Sequence, residues 1–543
     1  MTDSVVDPRP GVTTWVTREI RAEFEREGHW TKATWLDLLR RPLPSDGVAV
    51  VDETGALTRA EVMRKARRLA AYLHRSGVAR GDVVTLAVPN WREFVVIHAA
   101  VGLVGGVVNP VLPRVGRNEL RHVLSTARSR LVFAAAENRG SSPYRTAVEA
   151  SDGLDHVIEI ISVRGGERPY EGIVDDPAYD VGLPEVVVEA TDWDTITFTS
   201  GTESLPKAAV HSHQSTMFGL RSFITGVLGL DAGDGVFMPS PLCHASGIQW
   251  GLRTALYAGV PLVLQDKWDP GVALDLIDTH GCTYTLAATP FILDLIEAQR
   301  RRPRSGRSLR YLGSGGAPIP RHLGPAVREA FGAELISVFG ASETYITTTT
   351  LPGMAGDLQA SDGVALPGVS VRIVDELGEP LPRGREGEIV TRGPQVFLGY
   401  LGDAELTRSA FDGEWYHFGD LGVIDEAGML RVTGRIKDIV IRGGENISVR
   451  EVEELLIVHP AIESVAIVGY PDARLGERCC AVLVLVEGEQ LSLAEVCAYL
   501  TERGLAKFKL PERVEIVESM PMTTTGKIRK SELRRQFAEQ DSR

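Results

Sequence analysis

Ile196-Thr197-Phe198-Thr199-Ser200-Gly201-Thr202-Glu203-Ser204-Leu205-Pro206-Lys207 joins a strand pattern to a loop of hydroxyls, a glycine, a proline and a lysine. Thr195 to Phe198 alternates polar and apolar residues at a period of two, the spacing of a half-buried strand. Directly after it, Thr199, Ser200 and Thr202 offer hydroxyls, Gly201 leaves backbone N–H groups bare, and Lys207 adds a point charge. Such a loop can wrap phosphate oxygens. It is not a Walker A loop, which places Gly directly before the Lys and Ser or Thr directly after it. Here Lys207 lies between Pro206 and Ala208. Alone, the stretch reads equally well as a polar turn, so its meaning depends on its surroundings.

The chain has 543 residues, 43% hydrophobic and 24% charged, an ordinary globular composition. Its length calls for more than one domain. A net charge of −14 argues against nucleic acid or an anionic membrane as the main partner. ATP and CoA need only a local basic patch, so they are not excluded. Cys243, Cys282, Cys479, Cys480 and Cys497 form no C-x-x-C pair and no even set, so reducing cytoplasm is the expected setting. Phe94 to Pro113 lacks Asp, Glu, Lys and Arg over about the length that spans a bilayer. Its His98, Asn109, prolines and glycines fit a buried helix over 91–104 and a buried strand better. No integral membrane segment is expected, and the oligomeric state stays open, a homodimer included.

Residues 13–40 look helical without clean caps. Thr58-Arg59-Ala60-Glu61 is a capping-box pattern opening a helix that stops at Gly77. Apolar runs of strand length then alternate with helical patterns as far as about residue 338. That alternation predicts parallel sheets covered by helices on both faces, with ligands at the carboxyl ends of strands. After about residue 363, short strands with frequent Gly turns predict a β-rich subdomain. The run Gly434-Arg435-Ile436-Lys437-Asp438 marks the expected boundary between an N-terminal domain, 1–434, and a small α+β C-terminal domain, 435–543. The fold class is therefore α/β.

Four further stretches carry chemistry. Pro241-Leu242-Cys243-His244-Ala245-Ser246-Gly247 follows a strand, and its small residues would let a ligand approach His244. Tyr311-Leu312-Gly313-Ser314-Gly315-Gly316-Ala317-Pro318 could lay bare backbone against a flat base. In Val338-Phe339-Gly340-Ala341-Ser342-Glu343-Thr344, a carboxylate stands beside a hydroxyl at a strand end, a setting for a hard cation with phosphates. Gly419-Asp420 offers an acidic side chain that can accept from two ribose hydroxyls. Each is weak alone: a lone His is more often packing or surface, and Gly-Asp is a common turn. The dinucleotide fingerprint is absent, because Pro318 fills the last glycine position of G-x-G-x-x-G. That removes an NAD-dependent oxidoreductase.

Together these stretches resemble the motifs of the adenylate-forming enzymes, the superfamily of acyl-CoA synthetases, peptide-synthetase adenylation domains and luciferases. The usual phosphate loop has Gly where Ser204 and Ala208 stand, and the usual Tyr-Gly-x-Thr-Glu has become Phe339-Gly340-Ala341-Ser342-Glu343. Pro521-Met522-Thr523-Thr524-Thr525-Gly526-Lys527 matches the terminal Pro-x-x-x-x-Gly-Lys. Six motifs stand in order over roughly residues 80–535. Arg442-Gly443-Gly444-Glu445-Asn446 and Arg474-Leu475-Gly476-Glu477-Arg478 resemble the short- and medium-chain acyl-CoA ligases of fatty acid metabolism and the cyclohexanecarboxylate-CoA ligases.

The resemblance implies roles. Thr199, Ser200, Gly201, Thr202, Lys207 and Ser342 would bind phosphate. Gly315, Gly316, Ala317, Phe339 and Gly340 would frame the adenine, and Asp420 and Arg435 the ribose. Glu343 would hold Mg²⁺. His244, Gly247, Ile248, Gln249 and Trp250 would border the acid, with Trp250 suiting a compact ring acid. Gly443 and Gly444 would pass the CoA thiol, Lys437 would be the hinge of a mobile C-terminal domain, and Lys527 would serve adenylation. The implied reaction is ATP-dependent formation of an acyl-adenylate with pyrophosphate release, then transfer to CoA. A rival reading shares every motif: an adenylation enzyme that loads a carrier-protein pantetheine. A pseudoenzyme scaffold would have lost Lys527, Glu343 or the phosphate loop, and all are present.

Overall fold

The computed structural model describes residues 11–166, 169–199, 205–304, 308–316, 319–320, 322–354, 361–442, 445–472, 474–522 and 528–541, without the side chains of 445–446 and 537–541. The described chain forms two compact units. The first holds residues up to Ser370 together with Arg392–Tyr416; the second holds Val371–Thr391 and everything from His417 on.

Two sheets build the first unit. One runs in the order Gly399–Tyr400, Lys207–Ser212, Trp193–Thr199, Val107–Pro110, Val83–Ala87, Leu131–Ala135, Glu159–Val163. From Trp193–Thr199 to Glu159–Val163 its neighbours are parallel. Val83–Ala87 and Leu131–Ala135 are buried at every residue, as continuous apolar runs in a doubly covered parallel sheet should be. The second sheet has the parallel centre Glu334–Ala341, Tyr311–Gly315, Tyr284–Ala287, Val236–Met238, Leu262–Leu264 and Val48–Asp52. On one side the hairpin strand Tyr345–Thr349 follows and Val364–Ala365 forms the edge; Gly55–Thr58 forms the other edge. The carboxyl ends of these strands carry the loops singled out above.

Helices cover the sheets. Thr58 and Glu61 form the expected capping box, and the helix Arg59–Arg75 ends before Gly77, whose φ of 83° is left-handed. The uncharged stretch is a buried helix, Arg92–Leu103, followed by the strand Val107–Pro110. Among the described residues no helix is long and apolar enough to cross a membrane. Residues 13–40 prove better capped than expected. Thr17 caps Arg18–Arg26, and Thr34 with Asp37 forms a full capping box on Trp35–Arg40.

Most of a five-stranded sheet of Ser370–Val374, Gly387–Arg392, Trp415–Ile424, Phe411–Asp412 and Leu430–Arg435 belongs to the second unit. Beyond Arg435 lies an α+β body in which Ile462–Asp472 and Gly476–Leu485 pair antiparallel. Val465 and Ile467 face one apolar cluster, and Ala466 and Val468 face another, so both faces of that hairpin are covered.

Candidate active site

The strands on either side of the expected phosphate loop are paired. Trp193–Thr199 runs out and Lys207–Ser212 returns antiparallel, with Thr199 opposite Lys207. Strand pairing thus sets the Thr199 hydroxyl and the Lys207 ammonium opposite one another at the ends of the two strands. Ser200, Gly201 and Thr202 lie outside the described residues. His122 Nε2 donates to the Pro206 carbonyl at 3.0 Å, just before the returning strand.

Glu343 meets that hairpin from the other sheet. It sits in the turn between Glu334–Ala341 and Tyr345–Thr349, is buried, and its Oε1 accepts from the Thr199 hydroxyl at 3.3 Å. The Tyr400 hydroxyl donates to the same oxygen at 2.9 Å. Among the described residues no donor reaches Oε2. A magnesium ion fits this arrangement. It takes one or two protein carboxylates and fills its shell with phosphate oxygens and water. Glu343 supplies one carboxylate with a free oxygen, and among the described residues no group of three or more His, Cys, Asp or Glu competes for a metal.

The Glu343 turn is braced from behind. His211 Nε2 donates to the Ser342 carbonyl at 2.7 Å, and its ring stacks on Tyr345 at 4.1 Å. Burial lowers the His211 pKa to about 4, so this ring is neutral at ordinary pH. Tyr345 takes a left-handed φ of 51°, which a bulky residue adopts only when its surroundings hold it there. Phe339 is half-buried beside the turn. Gly340 has a local reason to be glycine: a Cβ there would lie 1.7 Å from the Tyr345 carbonyl oxygen.

His244 begins the helical segment that leads into Trp250. Its Nδ1 accepts from the Ser246 N–H at 3.3 Å and lies 2.8 Å from the Ser246 hydroxyl, which leaves the ring proton of the neutral form on Nε2. Gly247 packs against the preceding turn, where a Cβ would come 2.0 Å from the Pro241 carbonyl oxygen. Trp250 is buried edge-on between Phe223 at 5.2 Å and Tyr345 at 6.2 Å. Ile248 and Gln249 are also buried. The Gln249 amide donates to the Thr216 carbonyl and accepts from Arg253.

Sequence reasoning missed Arg253. It is fully buried, with Asp194 at 2.7 and 2.9 Å, the Thr195 hydroxyl at 2.6 Å, and His98 Nε2 at 3.2 Å. Its guanidinium also faces the Trp35 ring at 4.7 Å. Burial pushes Asp194 up, but Arg253, with smaller contributions from His213, His98 and Trp35, outweighs it and holds the carboxylate below its usual range. No sequence pattern marks this pair, since its members are 59 residues apart.

Gly315 lies against the next strand, where a Cβ would touch Val338 at 2.5 Å, and Gly316 has a left-handed φ of 76°. In the second unit, Asp420 and Arg435 are cross-strand partners joined by an ion pair of 2.8 Å. Asp420 is buried and the Arg435 side chain is 62% exposed. Glu388, also missed, holds His417 at 3.0 Å and the Gly419 N–H at 3.1 Å. Lys437 lies in a short helical turn, and Arg534 reaches its carbonyl at 3.4 Å and the Asp438 carboxylate at 2.7 Å. Ala317, Gly443, Gly444 and Lys527 lie outside the described residues.

Comparison with known proteins agrees with this construction. Residues 41–401 match the AMP-binding enzyme family, and residues 451–527 match the AMP-binding enzyme C-terminal domain. The medium-chain fatty-acid–CoA ligase of Escherichia coli is 35% identical over 542 residues, covering 96% of this chain and 94% of that one. The 2,3-dihydroxybenzoate-AMP ligase of Bacillus subtilis is 30% identical, covering 97% and 98%. The crystal structure of the anthranilate CoA ligase AuaEII with anthranoyl-AMP superposes with a TM-score of 0.85 at 25% identity, covering 94% of this chain and 98% of that one. The family match over residues 41–401, with relatives at 30% identity or more over nearly the whole chain, makes this chain a member of the AMP-binding enzyme family, within the adenylate-forming superfamily.

Proposed function

We propose that this enzyme joins a carboxylic acid to ATP, releasing pyrophosphate and forming an acyl-adenylate, and then passes the acyl group to the thiol of CoA. The observation that carries the reading is Glu343 meeting the phosphate hairpin through Thr199. Both reactants of the first step are anions, so the residues must align them and stabilise charge on the phosphoryl oxygens. The Thr199 hydroxyl, Ser200, Gly201, Thr202 and Ser342 donate to phosphate, and Lys207 adds a cation at the hairpin foot. Glu343 would hold Mg²⁺, which when bound neutralises phosphate charge as a Lewis acid. Phe339, Gly315, Gly316 and Ala317 frame the adenine. Asp420 accepts from the ribose hydroxyls, with Arg435 fixed beside it. His244, Gly247 and Trp250 border the acid, while Gln249 holds the Trp250 segment in place. Gly443 and Gly444 give the thiol its passage, Lys437 is the hinge, and Lys527 supplies a cation to adenylation alone.

The aromatic wall of Phe223, Trp250 and Tyr345 supports a short- or medium-chain, alicyclic or aromatic acid. CoA as acceptor is supported by the CoA-ligase relatives; loading a carrier-protein pantetheine is the second reading, favoured by the AMP-ligase relative. A cysteine set with no C-x-x-C motif, and the use of ATP and CoA, support a cytoplasmic setting. The test is a panel of such acids with ATP and Mg²⁺, read as pyrophosphate and AMP, with and without CoA. Thioester in the CoA arm is expected. ADP and phosphate as products would refute the adenylate reading, and transfer only to a pantetheinylated carrier would replace CoA.

A further inference from the structure

Tyr400 belongs to none of the ligand-binding stretches, yet it touches both halves of the phosphate site. It lies on the short strand Gly399–Tyr400, which pairs with the returning strand of the phosphate hairpin so that Tyr400 stands opposite Ala209. Its own N–H donates to the Thr407 hydroxyl at 2.9 Å, and Phe397 packs edge-on against its ring at 4.8 Å. Backbone, cap and ring contact together fix where the phenol points. One end of it donates to Glu343 Oε1 at 2.9 Å; its ring face lies 5.6 Å from Lys207 Nζ.

We propose that Tyr400 is a positioning residue for nucleotide binding, which commits Glu343 Oε1 to the protein, leaves Oε2 for the divalent cation, and steadies Lys207 at the hairpin foot. This rests on the reading of Glu343 as the cation ligand. A free carboxylate can rotate and offer either oxygen or both. Glu343 cannot do so without breaking two bonds, because Thr199 and Tyr400 both donate to Oε1. The ring face adds a cation–π contact that draws the ammonium toward the same point. Tyr400 touches no reacting atom; it acts through Glu343 and Lys207.

Tyr400→Phe removes one hydroxyl and keeps the ring. Calorimetric titration with ATP, once with excess Mg²⁺ and once in EDTA, reads binding apart from turnover. We expect the variant to bind ATP with Mg²⁺ roughly tenfold more weakly, the scale of a lost hydrogen bond to a charged group. Binding in EDTA should stay within about twofold of wild type, since only the cation ligand is disturbed. In a Glu343→Gln background the same substitution should add little, because Tyr400 acts on cation binding only through the carboxylate that Gln has already removed. Unchanged affinity with Mg²⁺, an equal loss in both titrations, or full additivity in the double variant would each overturn the proposal. A melting temperature more than about 10 °C below wild type would assign Tyr400 to the core and overturn it too. If the wild-type protein gains nothing from Mg²⁺, the Glu343 reading itself falls, an outcome distinct from all of these.

Discussion

Replacing Glu343 by Gln separates its charge from its shape. Glu343 is buried, and Oε1 accepts from Thr199 at 3.3 Å and from Tyr400 at 2.9 Å. A Gln carbonyl in the same place can accept both bonds, so the local packing survives. What disappears is the negative charge, and an amide N–H₂ takes the position of Oε2, where it repels a cation. Losing one well-placed electrostatic group in a closed site costs about 10²–10³-fold in rate, or roughly 2.7–4 kcal/mol. We therefore expect adenylation, followed as pyrophosphate release, to fall by at least about 10²-fold. The Mg²⁺ concentration for half-maximal rate should rise. Thioester formation from synthetic acyl-adenylate and CoA should change little, because the pyrophosphate has already left. Folding should be nearly unaffected. By contrast, Glu343→Ala strands the Tyr400 hydroxyl and should lower stability by about 1–3 kcal/mol as well. An unchanged rate and Mg²⁺ dependence in Glu343→Gln would remove this carboxylate from the site. An equal loss in both half-reactions would refute its assignment to adenylation.

Lys527→Ala is expected to slow adenylation by about 10²–10³-fold and leave the thioester half-reaction near wild type; equal losses in stopped assays of both halves would refute that division. Arg253→Met should destabilise the first unit by about 3–5 kcal/mol, because it leaves Asp194 buried without its partner. Arg253→Met with Asp194→Asn should recover part of that loss in urea unfolding, and a single-variant loss below about 1 kcal/mol would refute the pair's importance. Burial lowers His98 to about 3 and His211 to about 4, with Arg253 adding to the effect on His98. Both folded values lie below the unfolded value, so the unfolded chain takes up protons first as pH falls. The stability they allow is complete above about pH 6.5 and drains away toward about pH 4, near 1.4 kcal/mol per pH unit for each ring. His98→Gln should make the slope of unfolding free energy against pH shallower by about one proton in that window; an unchanged slope would show that His98 does not carry it.

The parallel sheets were legible because apolar runs such as Val83–Ala87 and Leu131–Ala135 admit no other reading at that length, and alternation with helices left one topology class. The two hairpin strands beside the site were not. Lys207–Ser212 is buried on both faces after its first residue, so it shows no period of two. Tyr345–Thr349 is wholly buried yet mostly threonine, and its polarity reads as a loop. The caps of the first helices failed for a different reason. Thr17 works without an acidic partner three residues on, and Thr34 uses Asp37 where the usual signal is Glu or Gln.

The candidate site divides the same way. Motifs disclose residues that would touch a ligand, because those lie close together on a loop. The residues that aim them come from distant segments. Tyr400 is 57 residues from Glu343, and His211 is 131 from the Ser342 carbonyl it holds. Their buried polar atoms must be paired somewhere, and only the fold says where. The glycines show how far a motif can mislead about cause. The small residues around Gly247 read as an approach for a ligand, and Gly340 as part of an adenine frame. In the structure each lies against its own chain, with a Cβ reaching within 2.0 Å of Pro241 and 1.7 Å of Tyr345 respectively. A side chain at either position would displace backbone before any nucleotide or acid arrived. The glycines of these loops therefore shape the turns first. At Glu343 the turns set a carboxylate held through Oε1 by Thr199 and Tyr400, with no donor among the described residues at Oε2.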